Sequence, residues 1–175
     1  MDGQLEQVAG SWQIKFVREL PHPPDKVWRA LTEPAHLSKW FPQDIEGERA
    51  AGATLRFISR NNEGPPFDGK MLTFDPPALM EFTWGDDVLR FELRGHEDGR
   101  ATVLTFTDTI EERGKAARDT AGWHECLDLL EYNLNGEPAP FGWGKRWAEV
   151  HPRYVKEFGP EASTIGPPEG FDPSE

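Results

Sequence analysis

Short segments in which apolar and polar residues alternate occupy the middle of the chain, and turn-forming residues separate them. Six such segments follow one another between residues 45 and 109, and another covers residues 11–20. Alternation with a period of two is typical of a strand that buries one face. The separating stretches are short and rich in Gly, Pro, Asn and Asp, as in an antiparallel meander. The pattern therefore predicts one antiparallel sheet of about six or seven strands.

The phase of the alternation assigns one face of this sheet to the interior. Phe82 and Trp84 fall on one side of their segment, opposite Glu81 and Thr83. Because the neighbouring segments repeat this pattern, one face of the sheet is apolar and must be covered. The predicted cover is a helix at 116–135, in which apolar side chains recur at helical spacing. Its apolar side carries Trp123, Leu127, Leu130 and Leu134, and its predicted solvent-facing side carries Glu125, Asp128 and Glu131.

Two short helices are predicted between the first strand and the meander. The proline-rich stretch 21–24 ends the strand, and proline is well tolerated at the start of a helix. Val27 and Leu31 then follow at helical spacing. Pro34 ends this helix and begins a second one, which ends at Trp40.

These elements define a single predicted domain at 11–136, with further segments on either side. Residues 1–10 are polar and are predicted to be flexible. Residues 137–158 are predicted to form an extension with a short helix interrupted by Pro152. Residues 159–175 are rich in Pro, Gly and acidic residues and are predicted to be a disordered acidic tail.

Charge and composition exclude several classes of protein. The formal net charge of −12 disfavours nucleic acids and anionic membrane surfaces as partners. No apolar run is long enough to cross a membrane as a helix. The single cysteine cannot form an internal disulfide, and the first residues do not resemble a signal peptide. The chain is therefore expected to be cytoplasmic.

The element order resembles the helix-grip fold of the START/polyketide-cyclase-like superfamily, and local motifs narrow the resemblance. Arg18 precedes the motif Pro-x-x-x-Val-Trp-x-Ala-Leu-Thr-x-Pro-x-x-Leu-x-x-Trp at Pro23–Trp40. Asp75-Pro76-Pro77 precedes a strand that ends in Phe82-Thr83-Trp84, and Gly122-Trp123 lies in the long helix. Together these motifs resemble the single-domain homologues of the activator of the Hsp-type chaperone ATPase.

The resemblance implies an α+β helix-grip domain, in which a curved antiparallel sheet wraps around the long carboxy-terminal helix and leaves an elongated cavity. Superfamily members typically bind apolar small molecules or lipids there, and a minority catalyse cyclisation or dehydration. Eukaryotic chaperone activators carry an additional amino-terminal domain that has no counterpart here, which weighs against a direct co-chaperone activity.

Large apolar side chains on the predicted inner faces are the candidate ligand-binding residues. A sheet curled around one helix encloses more space than one helical stripe fills, so some of these side chains should line a void. The alternative is that they fill the core. The candidates are Trp28, Trp40, Phe57, Phe67, Met71, Phe82, Trp84, Phe91, Phe106, Trp123, Leu127 and Leu130.

No metal, cofactor or catalytic residue is predicted. The five histidines form no His-x-x-x-His pair, and one cysteine cannot supply a thiolate cluster. Cys126 is interpreted as a small hydrophobe and His124 as a surface or rim residue. Asp108 is in phase with the interior and could serve as a general acid, but a solvated carboxylate at a strand end is the favoured interpretation. Arg18 is assigned to a structural salt bridge, with an anionic ligand group as the alternative.

The favoured function is therefore non-enzymatic binding of an apolar or amphipathic small molecule between the sheet and the long helix. Two alternatives remain open at this point. One is a cyclase or dehydratase that uses Asp108, Arg18 or His124 in the same cavity. The other is an interaction module for a chaperone or a regulator, and a homodimer partner also remains open.

Overall fold

The computed structural model describes residues 2–60, 64–168 and 171. In these residues the β-strands are β1 (Gln4–Val8), β2 (Ser11–Leu20), β3 (Gln43–Glu46), β4 (Thr54–Ser59), β5 (Phe67–Asp75), β6 (Leu79–Trp84), β7 (Asp87–His96) and β8 (Ala101–Ile110). The α-helices are α1 (Pro24–Thr32), α2 (Pro34–Trp40), α3 (Ala116–Leu134) and α4 (Lys145–Phe158). Short 3₁₀ turns at Arg113–Lys115 and Pro160–Ala162 precede α3 and follow α4.

The described strands form one antiparallel sheet in the order β1-β2-β8-β7-β6-β5-β4-β3. Its register aligns large aromatic side chains, since Phe106 on β8 lies opposite both Phe16 on β2 and Phe91 on β7. Directly paired residues point to the same face, so these rings form a continuous apolar layer. The α+β architecture with a long carboxy-terminal helix confirms the predicted fold, with eight strands in place of six or seven.

The additional strand is β1, which lies in the segment 1–10 that the sequence predicted to be flexible. β1 pairs with β2 from Gln4 opposite Lys15 to Val8 opposite Ser11. Ala9 and Gly10 turn the chain with φ angles of 50° and 82°, a region that favours glycine. Because β1 is a polar edge strand, it carries no apolar alternation that could have revealed it.

Helix α3 lies against the apolar face of the sheet and is covered from the opposite side by α4. Its predicted apolar stripe is buried, from Trp123 to Leu134. A second buried patch on α3, at Ala117 and Ala121, packs against Val150 and Tyr154 of α4. The side of α3 predicted to face solvent is therefore partly covered, since Glu125 is buried whereas Asp128 and Glu131 are half-buried. Helix α4 continues through Pro152, where the sequence predicted an interruption.

The segment after α4 also packs against the domain over part of the predicted tail 159–175. Ala162 is fully buried, and the Phe171 ring lies edge-on to Trp147 with centroids 5.2 Å apart. Residues 169–170 and 172–175 of that tail lie outside the described residues. This segment consequently contributes to the wall of the site described below.

Candidate functional site

A cavity of about 170 Å³ lies at one end of the core, between the sheet, α3 and the segment that leads into α4. Four tryptophans from different elements dominate its wall, and we call it the tryptophan cavity. They are Trp84 at the end of β6, Trp123 in α3, Trp143 before α4 and Trp147 within α4. The remaining lining residues are Pro42, Gln43, Arg118, Asp119, Gly122, Glu125, Cys126, Gly144, Pro167, Pro168 and Phe171.

Hydrogen bonds within the protein hold three of these indole rings in place. The indole N–H of Trp84 donates to Gln43 Oε1 at 3.0 Å, and that of Trp147 donates to the carbonyl of Arg118 at 3.0 Å. The indole N–H of Trp123 donates to Asp108 Oδ2 at 2.9 Å. Because these donors already have acceptors, the three rings offer carbon surface rather than N–H groups to a guest.

Glu125 attaches the carboxy-terminal extension to α3. Its side chain is only 2% exposed, and its carboxylate accepts hydrogen bonds from the backbone N–H groups of Gly144, Arg146 and Trp147 at 2.9 to 3.3 Å. These groups lie at the start of α4, where helical N–H groups have no partner within the helix. Burial raises the pKa of Glu125, and the three N–H groups oppose that rise. The sequence interpretation of Glu125 as solvent-facing is wrong, because α4 covers it.

A cluster of three carboxylates lies behind the Asp119 side of the cavity. Asp87, Asp108 and Asp119 each have one carboxylate oxygen that lies within 4.8 Å of the corresponding oxygens of the other two. Lys115 Nζ donates to both oxygens of Asp87 at 2.7 Å and lies 4.0 Å from Asp119. The lysine ammonium group thus supplies a cation at these carboxylates, although their spacing alone would suit a metal ion.

Asp108 is fully buried in this cluster, so the interpretation of a solvated carboxylate is wrong. Its Oδ2 accepts from Trp123, whereas its Oδ1 has no hydrogen-bond partner. Burial first, and then the nearby charge of Asp87, raise the pKa of Asp108 well above its usual value. The strand does not end at this residue, since β8 continues to Ile110.

Of the acid–base candidates from the sequence, Arg18 and His124 lie together beside Asp128, at 2.7 and 3.5 Å, and Asp108 lies apart from them in the carboxylate cluster. Arg18 donates to Asp128 Oδ1 at 2.7 Å and to Glu131 Oε2 at 2.5 Å, as a buried salt bridge. His124 is 7% exposed and shares a 2.7 Å hydrogen bond with the hydroxyl of Tyr154 on α4. Burial lowers the pKa of His124, although the negative charge of Asp128 acts to raise it. The interpretation of His124 as a surface residue is therefore wrong, and the described lining of the tryptophan cavity contains none of Arg18, Asp108 and His124.

Two of the twelve predicted ligand-binding residues, Trp84 and Trp123, line the tryptophan cavity. The other ten lie elsewhere in the interior. Trp28 packs against Phe74 with centroids 5.5 Å apart, and Met71, Leu127 and Leu130 are buried in the main core. The remaining six pack against one another and against Phe41 in the middle of the domain, with ring centroids 4.9 to 6.4 Å apart. They are Trp40, Phe57, Phe67, Phe82, Phe91 and Phe106.

The sequence did not identify Trp143, Trp147 and Glu125 as parts of this site. The two tryptophans lie four residues apart, a spacing that places side chains together on a helix, but Trp143 precedes α4. Glu125 carried no sequence signal, because its partners are backbone groups about 20 residues away along the chain.

A wider cleft of about 670 Å³ lies between α2 and the strand β3, and it contains none of the twelve candidates. Leu37, Ile45 and Phe74 give it an apolar floor, and charged residues surround them. Arg49 at its edge already donates to the carbonyl groups of Thr32, Gly47 and Ile45. The tryptophan cavity is therefore the better candidate, since four tryptophans form its wall whereas charged residues surround the floor of the cleft.

No helix in the described part of the chain is long and apolar enough to cross a membrane.

Solved structures with the same fold are found in several bacteria. A conserved protein of unknown function from Enterococcus faecalis superposes with a TM-score of 0.73 at 19% identity, over 89% of each chain. CalU16 from Micromonospora echinospora has a TM-score of 0.68 at 19% identity, over 89% of this chain and 95% of its own. DynU16, described as a putative protein in the dynemicin biosynthetic locus, has a TM-score of 0.62 at 26% identity, over 72% of this chain and 48% of its own.

A search of curated proteins finds no match. A family model does match, and the residues it covers run from the start of the proline-rich motif before α1 to the end of α3. Since the match spans residues 21–135 of 175, the chain belongs to the family described as activator of Hsp90 ATPase homolog 1-like proteins.

Proposed function

We propose that this protein binds a small apolar or amphipathic molecule in the tryptophan cavity. The observation that carries the proposal is a partly open cavity of about 170 Å³ whose wall contains four tryptophans. Apolar pockets with a few placed polar groups are the usual form of small-molecule sites. An engineered apolar cavity of about 150 Å³ in another protein is large enough to bind benzene. A ligand portion with one ring therefore matches the size of this space.

The packed middle of the core restricts where in the interior a ligand can bind. The sequence placed the ligand in a cavity between the sheet and the long helix, and ring contacts from Trp40 to Phe106 occupy the middle of that region. The space lies instead at the end of the sheet near Trp84, under the carboxy-terminal extension.

A non-enzymatic role is supported by the partners of the polar groups. Glu125 in the cavity wall is engaged by three backbone N–H groups, and Asp119 accepts from Arg118 Nε at 2.8 Å. A general acid or base must reach the proton that it transfers and must be able to exchange it. The side chains of the cyclase or dehydratase alternative, Asp108, Arg18 and His124, are each held by other residues.

The test is a titration with toluene and cyclohexane, which have one ring each and do not emit with tryptophan, followed by tryptophan fluorescence. Cys126 gives a second measurement, since it lines the cavity and is the single cysteine of the chain. Bound ligand should slow modification of Cys126 by a small thiol reagent. This protection locates the ligand, which fluorescence alone does not.

Gly122 provides a matched pair of variants. A Cβ at this position meets only Trp147 Cδ1 at 4.0 Å, an ordinary contact. Gly122→Ala should keep both the fold and binding, while Gly122→Leu should keep the fold and abolish binding by filling the cavity. If no ligand saturates the signal, or if Gly122→Leu binds as well as Gly122→Ala, the proposal is wrong.

Family membership favours a second candidate, contact with an Hsp90-type chaperone. The net charge of −12 would make such a contact sensitive to salt. Purified chaperone should then bind the protein at low salt, and the protein should raise or lower the ATPase rate of the chaperone. Absence of both effects at low salt would remove this candidate.

A further inference from the structure

Negative charge predominates around the tryptophan cavity. Asp119 and Glu125 are in its wall, and the wall contains one basic side chain, Arg118, within the described lining. Behind Asp119 lie Asp87 and Asp108, together with Lys115. Within the described wall itself, two carboxyl groups accompany one basic side chain, so negative charge is in excess there, and Arg146 adds a positive charge behind Glu125.

The basic groups at this site are already paired with carboxylates. Arg118 Nε donates to Asp119 at 2.8 Å, and Lys115 donates to both oxygens of Asp87 at 2.7 Å. Asp108 Oδ1 is fully buried and has no donor. A fully buried acceptor without a partner costs free energy, which indicates that this region lacks positive charge or donors. The raised pKa of Asp108 has the same origin in burial and like charge.

The aromatic wall suits a particular kind of positive charge. An ammonium group that has lost its water is attracted to the faces of aromatic rings, and tryptophan is the strongest partner. A metal ion would need several oxygen ligands, which carbon surfaces do not provide. A fully alkylated (quaternary) ammonium group has no N–H donors, so it does not need hydrogen-bond acceptors, which the indole rings of Trp84, Trp123 and Trp147 do not provide.

We infer that the ligand of the tryptophan cavity is an organic cation with an alkylated ammonium group next to a ring or short chain. This inference rests on the proposed function, because it assigns the charge of a ligand for the same cavity. An anionic ligand would meet Asp119, Glu125 and the cluster behind them without an unpaired basic group in the described wall. A fatty acid is therefore a poor match.

Three probes of similar shape and different charge test the inference. They are phenyltrimethylammonium (cationic), tert-butylbenzene (neutral) and benzenesulfonate (anionic). Calorimetric titration at low salt should show the cation binding about tenfold tighter than the neutral probe, as expected for one desolvated cation–π contact. The anion should not bind. Added salt should weaken binding of the cation and leave the neutral probe unchanged.

Asp119→Asn should weaken binding of the cation several-fold, about threefold to tenfold, while leaving tert-butylbenzene unchanged. Glu19→Gln removes one charge at an exposed position on β2 and is the matched control, with no change expected for either probe. Equal affinity for the cation and the neutral probe, or an unchanged cation affinity in Asp119→Asn, overturns the inference and leaves the proposed function standing. If none of the three probes binds, both proposals fail.

Discussion

Trp123 on α3 and Asp108 on β8 are joined by a hydrogen bond of 2.9 Å from the indole N–H to Oδ2. Trp123 lines the tryptophan cavity, and Asp108 is fully buried in the carboxylate cluster. Trp123 thus contacts both the cavity and Asp108, the carboxyl group whose pKa lies well above its usual value. The bond fixes the indole ring against the sheet, and it couples the position of the cavity wall to a group that can gain or lose a proton.

Asp108→Asn tests the state of this carboxyl group. Burial raises the folded pKa of Asp108 above its unfolded value, so protonation favours folding and the penalty of ionisation appears as pH rises above about 4. Asparagine keeps an oxygen for Trp123 and cannot ionise. We expect the stability of the variant relative to wild type to increase from about pH 4 up to neutral pH, because ionisation of the buried carboxyl group destabilises only the wild type. Urea unfolding of both proteins at several pH values measures the difference in their free energies of unfolding. A difference that does not change with pH would contradict the prediction.

Glu125→Ala should loosen α4. The substitution leaves the N–H groups of Gly144, Arg146 and Trp147 without their acceptor, for an expected loss of about 2–3 kcal/mol in the free energy of unfolding. Glu125→Gln retains one acceptor oxygen and should lose only about 1 kcal/mol. Hydrogen exchange should accelerate first in α4 for the alanine variant. Equal stability of the two variants would show that the carboxylate does not hold the extension.

Arg18→Met and Arg56→Met compare a buried ion pair with an exposed one. The Arg18 side chain is 6% exposed and its partner Asp128 is 13% exposed, against 52% and 65% for Arg56 and Asp68. Removing Arg18 breaks its bonds to Asp128 and Glu131 and leaves Asp128 paired with Arg146 at 2.5 Å, so it should cost about 2–3 kcal/mol. Removing Arg56 should cost less than about 1 kcal/mol, because water screens that pair. Chemical unfolding of both variants gives the comparison, and similar losses would refute it.

The sequence was sufficient to predict the sheet and the long helix because each of these elements buries one face. Alternation predicted the segment 79–84 and helical spacing predicted 34–40, both with the bounds that β6 and α2 have in the structure. The edge strand β1 lacked this signal, since its residues are mostly polar and its stability comes from pairing with β2. Local patterns report burial, and an edge strand buries little.

The site was harder to predict because it depends on contacts between distant segments. The sequence analysis assumed one buried stripe on α3, whereas α4 buries a second face through Ala117 and Ala121. Small residues of this kind leave a weak apolar signal. That omission placed His124 and Glu125 in solvent, and it left Trp147 without a role. The volume left inside the sheet could not be estimated either, because side-chain rotamers decide whether rings such as Phe41 fill it.

Tyr154→Phe should release the amino-terminal strand. The hydroxyl of Tyr154 accepts a 2.9 Å hydrogen bond from the N–H of Gly3 and shares a 2.7 Å bond with His124 Nδ1. Burial raises the pKa of Tyr154 to about 12, so the hydroxyl is neutral at ordinary pH. Its removal leaves the Gly3 donor buried and unpaired, at an expected cost of about 1–2 kcal/mol.

Hydrogen exchange distinguishes this effect from a general loss of stability. In Tyr154→Phe the amides of Gln4–Val8 should exchange faster, while those of the central strands β7 and β8 keep most of their protection. Tyr132→Phe makes the same chemical change at a half-buried ring that packs on Phe141, and it should leave β1 unaffected. If β1 exchanges at the same rate in wild type and in Tyr154→Phe, then pairing with β2 alone holds the strand, and the bond to Gly3 contributes nothing measurable.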